Sequence, residues 1–475
     1  MASKENMWPT EFAPAVVGCA LGSSALSSYA IALEAWRRGL AVTFNSHDLR
    51  SYRISDEERR VSFNFSRPIS TSSPKSHEIL NDKWKTNQAL SNSGIPSPRC
   101  HLIEPCQVNL EDLEKVVDDI GYPVVIKPTN GSFGRGVYAD LNTWEEFLEA
   151  YDHLREDLNP AQVLIEKHHY GEDYRILVVG NSVVGAVLRI PANVVGDGIS
   201  TISELIEKKN SFRRKNPFLS AGLIKPDFEV QKCLTSSGFE FHDILPEGEQ
   251  LFLRRVANAS AGGDVVDVTD DLPEEIMLAA VSAAKAIPGL VLAGVDVLYQ
   301  TGEPASPGNF VIIEMNSRPH IGVNMYPSIG MGRNAPAAII DTLFPGTHAL
   351  KSSGMENTRF NVGAISRAIR SGVASAVTLP QYESASFTSR KYYKFTKTER
   401  IISSGEKQLL QDYAARQKVS GKLKLTPSGQ IVLHTAGRDG ESTNRVMRKL
   451  ATILDQRPFA KGTWEGVVTA GFSVS

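Results

Sequence analysis

The sequence predicts an α/β segment followed by two α+β units. Three observations carry that expectation. Short Val/Ile-rich runs alternate with amphipathic stretches of helix length. Several of those runs are joined by tight turns, which makes antiparallel hairpins. The chain has 475 residues, more than the roughly 250–300 that a single core supports.

Hydrophobic residues at 41% and charged residues at 22% place the chain among globular proteins rather than disordered or fibrous ones. The 51 basic and 53 acidic side chains nearly cancel, so neither nucleic acid nor an anionic membrane is expected as a partner. Cys19, Cys100, Cys106 and Cys233 are too few and too scattered for a disulfide framework. Packing is the favoured role for them, with a Cys100–Cys106 redox pair as the alternative. "MASKENMWPTEFAP" lacks the apolar segment of a signal peptide, and no run of about 18 apolar residues follows, so a cytoplasmic protein is expected.

Near the start, "PAVVGCALGSSALSSYAIALEAWRRGLAVTFNS" reads as strand, glycine turn, helix and strand, a unit in which a parallel partner follows a crossover helix. Its "GCALGSS" departs from G-x-G-x-x-G spacing, so a tight turn under a helix is preferred over a nucleotide loop. "SRPISTSSPKS", Ser66 to Ser76, is rich in Ser and Pro and should be a connector. "HEILNDKWKTNQALSNSGIPSPRCHLI" gives one amphipathic helix ended by Gly94 and Pro96. "YPVVIKPTNGSFGRGVYAD" is a strand carrying one lysine, then a glycine-rich loop. "AQVLIEKHHYGEDYRILVVGNSVVGAVLRIP" supplies three strands, and the helix "PEEIMLAAVSAAKAI" leads to the strands "LVLAGVDVLYQ" and "VIIEMNSRPHIGVNMYP". Beyond about Pro345, "FTSRKYYKFTKTER", "GEKQLLQDYAARQ", "VSGKLKLTPSGQIVLHTAG", "NRVMRKLATIL" and "GVVTAGFSVS" give strand, helix, hairpin, helix and strand. That is the split βαβ, ferredoxin-like order.

Lys127 stands in "VVIKP", where an isolated buried ammonium is costly and a phosphate would supply its partner. Gly131, Gly134 and Gly136 in the following loop let backbone N–H groups approach phosphate oxygens, although a glycine hairpin turn has the same pattern. Strand alternation puts Glu314 and Asn316 on one face, opposite Ile313 and Met315. With Asp296 from "LAGVDVLY" they form an oxygen-bearing set suited to magnesium. Taken singly, Asp296 capping a turn and Glu314 pairing with an arginine are the structural alternatives. His168 and His169 are poor zinc co-ligands, because consecutive strand residues point to opposite faces.

The order of Lys83 in "NDKWKTNQALSNSGIPSP", "VVIKP", "NGSFGRGV", "VLIEKHHYGEDYRILVVG", "GVDVLY" and "IIEMNS" resembles the ATP-grasp ligases. Within that family it is most similar to the ATP-grasp domains of cyanophycin synthetase and of the bifunctional bacterial glutathione synthetase. The likeness extends to "RIPANVVGDGISTISELI", "LFLRRVANASAGGDVVDVTDDLP" and "YPSIGMGRNAPAAIIDTLFP", and covers roughly residues 80–345. It implies an ATP-grasp domain over 81–345; the α/β pattern before it gives a small Rossmann-like pre-ATP-grasp domain over residues 1–80, and the tail, residues 346–475, resembles the acylphosphatase fold.

The resemblance also implies roles. ATP and magnesium, with manganese as the alternative ion, are the expected cofactors. Lys83 and Lys127 would hold the ATP phosphates, with Gly131, Ser132, Gly134 and Gly136 closing over them. Glu166, Lys167, His168 and His169 would line the adenine, and Asp173 would meet the ribose. Asp296, Glu314 and Asn316 would carry the metal, and Arg175, Arg189 and Arg254 would stabilise the transferred phosphoryl group or the intermediate. The activity implied is ATP-dependent carboxylate–amine ligation through an acyl phosphate, on an amino acid or small peptide, and needs no covalent nucleophile on the protein. An ATP-binding regulator without turnover and a phosphotransferase are the competing readings.

The chain departs from the family at Arg318 and His320, where the relatives carry a small or neutral residue and commonly Gly or Ala. Both should line the acceptor end, Arg318 clamping a carboxylate and His320 positioning or deprotonating an amine. The sequence also lacks the Mur-ligase-like and glutamate–cysteine ligase portions of the relatives, so a freestanding ligase for small carboxylate and amine substrates is expected. A homo-oligomer is left open. The tail has Leu425 where acylphosphatases have asparagine, which suggests a catalytically silent module.

Overall fold

The structure, a computed structural model, describes residues 7–18, 23–71, 73–131, 135–301, 309–348, 355–381, 387–396 and 402–474. It divides into two compact units, one of Met1–Met7 with Ser66–Ala338 and one of Trp8–Phe65 with Ile339–Ser475.

The first unit is built on two antiparallel sheets. The smaller runs in the order Cys100–Ile103, Val163–Lys167, Val124–Pro128, Tyr138–Leu141. Helices Leu110–Ile120 and Trp144–Leu158 begin at Asn109 and Thr143, whose side chains accept the N–H groups of Asp112 and Glu146. Helical spacing then brings Leu113 and Val117, and Phe147, Tyr151 and Leu154, onto Val124, Ile126, Val163 and Ile165. Each such side chain, fully buried, contributes about 1.5–3 kcal/mol.

The larger sheet runs in the order Asp264–Asp267, Ser182–Ile190, Glu172–Val179, Leu292–Tyr299, Phe310–Asn316. The Ala-rich helix Glu274–Ala286 lays Ile276, Ala280, Ala283 and Ala284 on Ile176, Val178, Val295 and Val297. The three strands expected between Ala161 and Pro191 are present, but the first belongs to the smaller sheet and the other two to the larger. Between the strands Ser182–Ile190 and Asp264–Asp267 lies an insert with its own core of Val194, Ile202, Leu205, Val230 and Leu251.

The single helix expected over "HEILNDKWKTNQALSNSG" is two, Pro74–Leu80 and Lys83–Asn92. Asp82 breaks it by taking an extended conformation and accepting the N–H groups of Trp84 and Lys85, so it caps the second helix and sets Lys83 at its first position. The stretch read as a connector is also partly ordered structure. Arg67–Pro68 is a short strand, and Ser73 caps the first of these helices.

In the second unit the expectation of a Rossmann-like parallel sheet is overturned. "PAVV" is helical, with Pro14 at its first position, and the strands Ala41–Phe44, Ser51–Ser55 and Arg60–Asn64 are antiparallel, with Val377–Thr378 on the far edge of the first. Their connections are too short for a parallel crossover. In the second, the Asp56 carboxylate accepts the N–H groups of Glu58 and Arg59 and closes a tight turn. The glycine loop "GCALGSS" falls largely outside the described residues.

The closing module has the order Ala460–Thr463, Ser389–Phe395, Ile431–Gly437, Ser420–Leu425, Phe472–Val474, with helices Ser404–Arg416 and Gly440–Leu454 packed through Leu410, Ala414, Val446 and Leu450. Strand, helix, hairpin, helix and strand follow one another as expected, but the closing strand is Ala460–Thr463. Phe472–Val474, from the segment expected to close the sheet, instead adds a parallel edge beside Ser420–Leu425.

Candidate functional site

Lys127 and Glu166 sit on neighbouring strands whose register places Val125 opposite Glu166, so both side chains leave the same face. They form an ion pair at 2.6 Å, with side chains 8% and 6% exposed. The partner that a buried Lys127 requires is thus a carboxylate of the chain itself, and Glu166 is engaged with a lysine. Lys83 Nζ donates to the Gly131 carbonyl at 3.0 Å and lies 4.0 Å from Glu314 Oε1. Burial lowers the Lys83 pKa, with Glu314 opposing the shift and Lys127 adding to it. A narrow cleft lined by Lys83, Thr86, Asn87, Glu166 and Glu314 joins the two pairs. Thr86 and Asn87 were not anticipated. Their spacing from Lys83 on one helix face is the signal that finds them.

The strand Phe310–Asn316 pairs with Leu292–Tyr299 so that Glu314 stands opposite Asp296 and Asn316 opposite Gly294. A register shift beside Asp296 skips Ile313 and locally re-aims the strand, as bulges near functional residues do. Asp296, 4% exposed, accepts from Arg175 Nη1 with both carboxylate oxygens at 2.7 Å. Arg189 Nη2 lies 3.3 Å from Asp296 and 2.5 Å from Asp173. Burial alone would lower the Arg189 pKa, but Asp296 and Asp173 reverse the sign and raise it. Burial raises the Asp173 pKa; Arg189 opposes that, and Asp296 reinforces it.

Oxygen donors from Asp296, Glu314 and Asn316 match the hard-ligand preference of magnesium. Both Asp296 oxygens accept from Arg175, so a metal at Asp296 would share the carboxylate with that guanidinium. Among the described residues, no group of three or more His, Cys, Asp and Glu is placed to hold a metal. The trio of Asp296, Glu314 and Asn316 differs from such a group in having a carboxamide as its third donor.

Gly131 and Gly136 both have positive φ, 148° and 73°. At Gly136 a Cβ would meet Leu158 Cδ1 at 2.5 Å, so a side chain there is excluded by packing as well as by backbone conformation. Ser132 and Gly134 lie outside the described residues. Lys167 ends its strand with Nζ on the carbonyls of Gly121 and Tyr122, at 3.1 and 2.5 Å. His168 and His169 follow the strand rather than belonging to it, so strand alternation does not govern their directions. Burial lowers the pKa of both.

Arg254 is not brought together with Asp296. It is tied into the insert by Asp227 at 2.5 Å, by Glu229 and by the Ala261 carbonyl at 3.0 Å. Arg318 is exposed and His320 half-buried, just past the strand Phe310–Asn316. Near Arg318 are two residues from outside the anticipated site, Arg67 and His77, with Arg67 Nη1 2.7 Å from His77 Nδ1. Cys100, Cys106 and Cys233 are free thiols, and burial and Glu166 push Cys100 up to about 12. No helix among the described residues is long and apolar enough to cross a membrane.

Residues 80–197 match the family model of the RimK-like ATP-grasp domain. Cyanophycin synthetase of Synechocystis sp. is 39% identical over 275 residues, 56% of this chain and 31% of that protein. The glutathione biosynthesis bifunctional protein of Clostridium perfringens is 32% identical over 331 residues, 67% of this chain and 41% of that protein. The crystal structure of a bifunctional glutathione synthetase from Pasteurella multocida superposes with a TM-score of 0.51 at 26% identity, covering 62% of this chain and 41% of that one. The chain therefore spans 31% and 41% of the length of these two curated relatives. Its residues 80–197 are a RimK-like ATP-grasp domain, homologous to cyanophycin synthetase and to the bifunctional glutathione synthetase.

Proposed function

We propose that the chain is an ATP-dependent carboxylate–amine ligase, forming an amide or peptide bond on an amino acid or small peptide and releasing ADP and phosphate. The observation that carries this reading is the narrow cleft lined by Lys83, Glu166 and Glu314, where Glu166 holds Lys127 in an ion pair and Glu314 stands opposite Asp296 on the paired strand. A cation that suits phosphate, Lys83, and an oxygen donor that suits a divalent ion, Glu314, line one space.

In this reading Lys83 and Lys127 bind the phosphates, and the loop Gly131–Gly136, with Ser132 and Gly134, closes over them. The segment from Glu166 to His169 borders the adenine, with Asp173 toward the ribose. Arg175 and Arg189 meet charge on the transferring group, and Arg254 takes a part only where an anionic substrate replaces Asp227 and Glu229. Arg318 and His320 face the acceptor. Magnesium, or manganese, would be held by Asp296, Glu314 and Asn316 and would neutralise phosphoryl charge. The protein supplies positioning and fixed charge, so transfer of the γ-phosphoryl group to a carboxylate, then attack by an amine with loss of phosphate, needs no protein nucleophile. A cytoplasmic site, an ATP-grasp domain reaching from residue 81 to 345, and a silent acylphosphatase-like tail complete the proposal.

The test is an ADP-release screen over amino acids and dipeptides, repeated with hydroxylamine to trap the acyl phosphate as a hydroxamate. Carboxylate- and amine-dependent ADP release is expected, with Asp296→Asn lowering turnover roughly 100-fold or more. ADP release with a stable phosphorylated product and no need of amine would establish a phosphotransferase instead. ATP binding without turnover across the panel would establish a regulator.

A further inference from the structure

The stretch read from sequence as a connector carries an arginine held by something other than an acid. Ser66, 1% exposed, donates its hydroxyl to the Pro319 carbonyl at 2.7 Å. That bond fixes the two chain segments so that Arg67, the next residue after Ser66, neighbours Arg318, the residue before Pro319. Arg67 is half-buried and Arg318 exposed, so both are within reach of a solute. Among the described residues no carboxylate lies within ion-pair distance of Arg67. Glu78, the nearest acid along the following helix, is taken by Lys85.

What holds Arg67 is an imidazole. Its Nη1 donates to His77 Nδ1 at 2.7 Å, and Asn81 lies 3.2 Å from the other ring nitrogen. A ring accepting at Nδ1 is the neutral form. Burial, with the charges of Arg67 and Arg318 added, lowers the His77 pKa, which favours that neutral form. His77 therefore aims the guanidinium without cancelling its charge, and Arg67 in turn is depressed by burial and by Arg318. Two guanidinium groups whose charges act on each other, one of them held by an imidazole, suit a planar anion.

We infer that Arg67 and Arg318 form a two-armed clamp for a carboxylate group of the organic substrate, with His77 as the positioning residue that aims Arg67. The role rests on the ligase reading. Arg318 is two residues past Asn316, so the clamp borders the acceptor end, and Lys83 and Lys127 already serve the phosphate end. The substrate class is thus one that keeps a free carboxylate besides the one activated, such as an amino acid or peptide bearing its α-carboxylate or an acidic side chain.

The clamp is tested without turnover by arginine modification. The full chain is treated with phenylglyoxal in the presence of succinate, succinamide or ATP, and the modified arginines are located by mass spectrometry. Succinate is expected to slow modification of Arg67 and Arg318 together by about tenfold, as a charge-assisted pair does at saturation, and succinamide is expected to leave both rates unchanged. Equal protection by succinamide, no protection by succinate, or protection of Arg67 by ATP alone would each overturn the clamp. With a substrate from the ADP screen, Arg67→Gln should raise the KM of one organic substrate roughly 10- to 100-fold, leaving the KM of ATP unchanged. His77→Ala should do the same more weakly, and His77→Gln, which keeps an acceptor toward Arg67, should restore it. A rise in the KM of ATP, or unchanged KM values throughout, would refute the assignment. A screen with no turnover sinks the ligase reading while the protection result still decides the clamp.

Discussion

At Lys127 the chain commits a buried cation to a buried carboxylate, and the cost of disturbing one partner follows. Lys127→Met leaves Glu166 buried and uncompensated and should destabilise the protein by about 3 kcal/mol or more in urea unfolding. The double change Lys127→Met with Glu166→Leu should recover most of that loss, because an apolar pair removes the stranded charge, yet ATP binding should stay lost. A single variant as stable as the parent would show that water reaches the pair. The candidate site residues on periodic strands stand out in the sequence. Lys127, Asp296 and Glu314 each interrupt an apolar run, and burial makes such interruptions conspicuous. The pairings were not readable: strand spacing states which face Glu166 leaves, but only register states that Lys127 meets it. Arg67 and His77 escape a sequence reading because a Ser/Pro-rich composition hides a two-residue strand and a capped helix.

At the scale of single elements, the Ile431–Gly437 strand carries a titratable group whose sign can be worked out. Burial, reinforced by Lys422 and Lys424, lowers the His434 pKa from 6.5 to about 4. The unfolded chain therefore binds more protons than the folded one between those values, and stability of the module falls as pH drops through that window. Because His434 is only half-buried, solvent screening discounts the size of the effect. Once the intrinsic slowing of amide exchange toward acid pH is divided out, hydrogen exchange in this strand should be faster at pH 5 than at pH 7, and His434→Gln should remove that excess. An unchanged excess in that variant would assign the effect elsewhere. Elements of strong periodicity were legible, as the Ala-rich helix Glu274–Ala286 and the hairpins beside it show. The opening segment misleads because three apolar residues after a proline, Ala15 to Val17, suit either a buried strand or a first helical turn. Only the antiparallel hairpins that follow settle the sheet's direction.

For the molecule as a whole, the second unit is assembled from distant parts of the chain. Arg37, 1% exposed, donates to the carbonyls of Glu11, Glu356 and Thr358, and Trp36 donates to that of Pro380. Phe360 packs against Tyr29, Trp36 and Phe44. Cutting the chain after Pro345 should therefore strand Arg37 and uncover an aromatic cluster. Raised binding of an apolar dye and rapid proteolysis within residues 8–65 are the expected readings, and a truncated chain as protease-resistant as the full one would contradict this. The same discontinuity sets a schedule for synthesis. Roughly 270 residues separate Phe65 from Ile339, which at about 5–20 residues per second is some tens of seconds of translation. Throughout that interval the strands Ala41–Phe44, Ser51–Ser55 and Arg60–Asn64 have emerged from the ribosome without the segments that complete their core. The unit Ser66–Ala338 between them has time to fold first, while the opening segment still lacks the residues that bury its apolar faces.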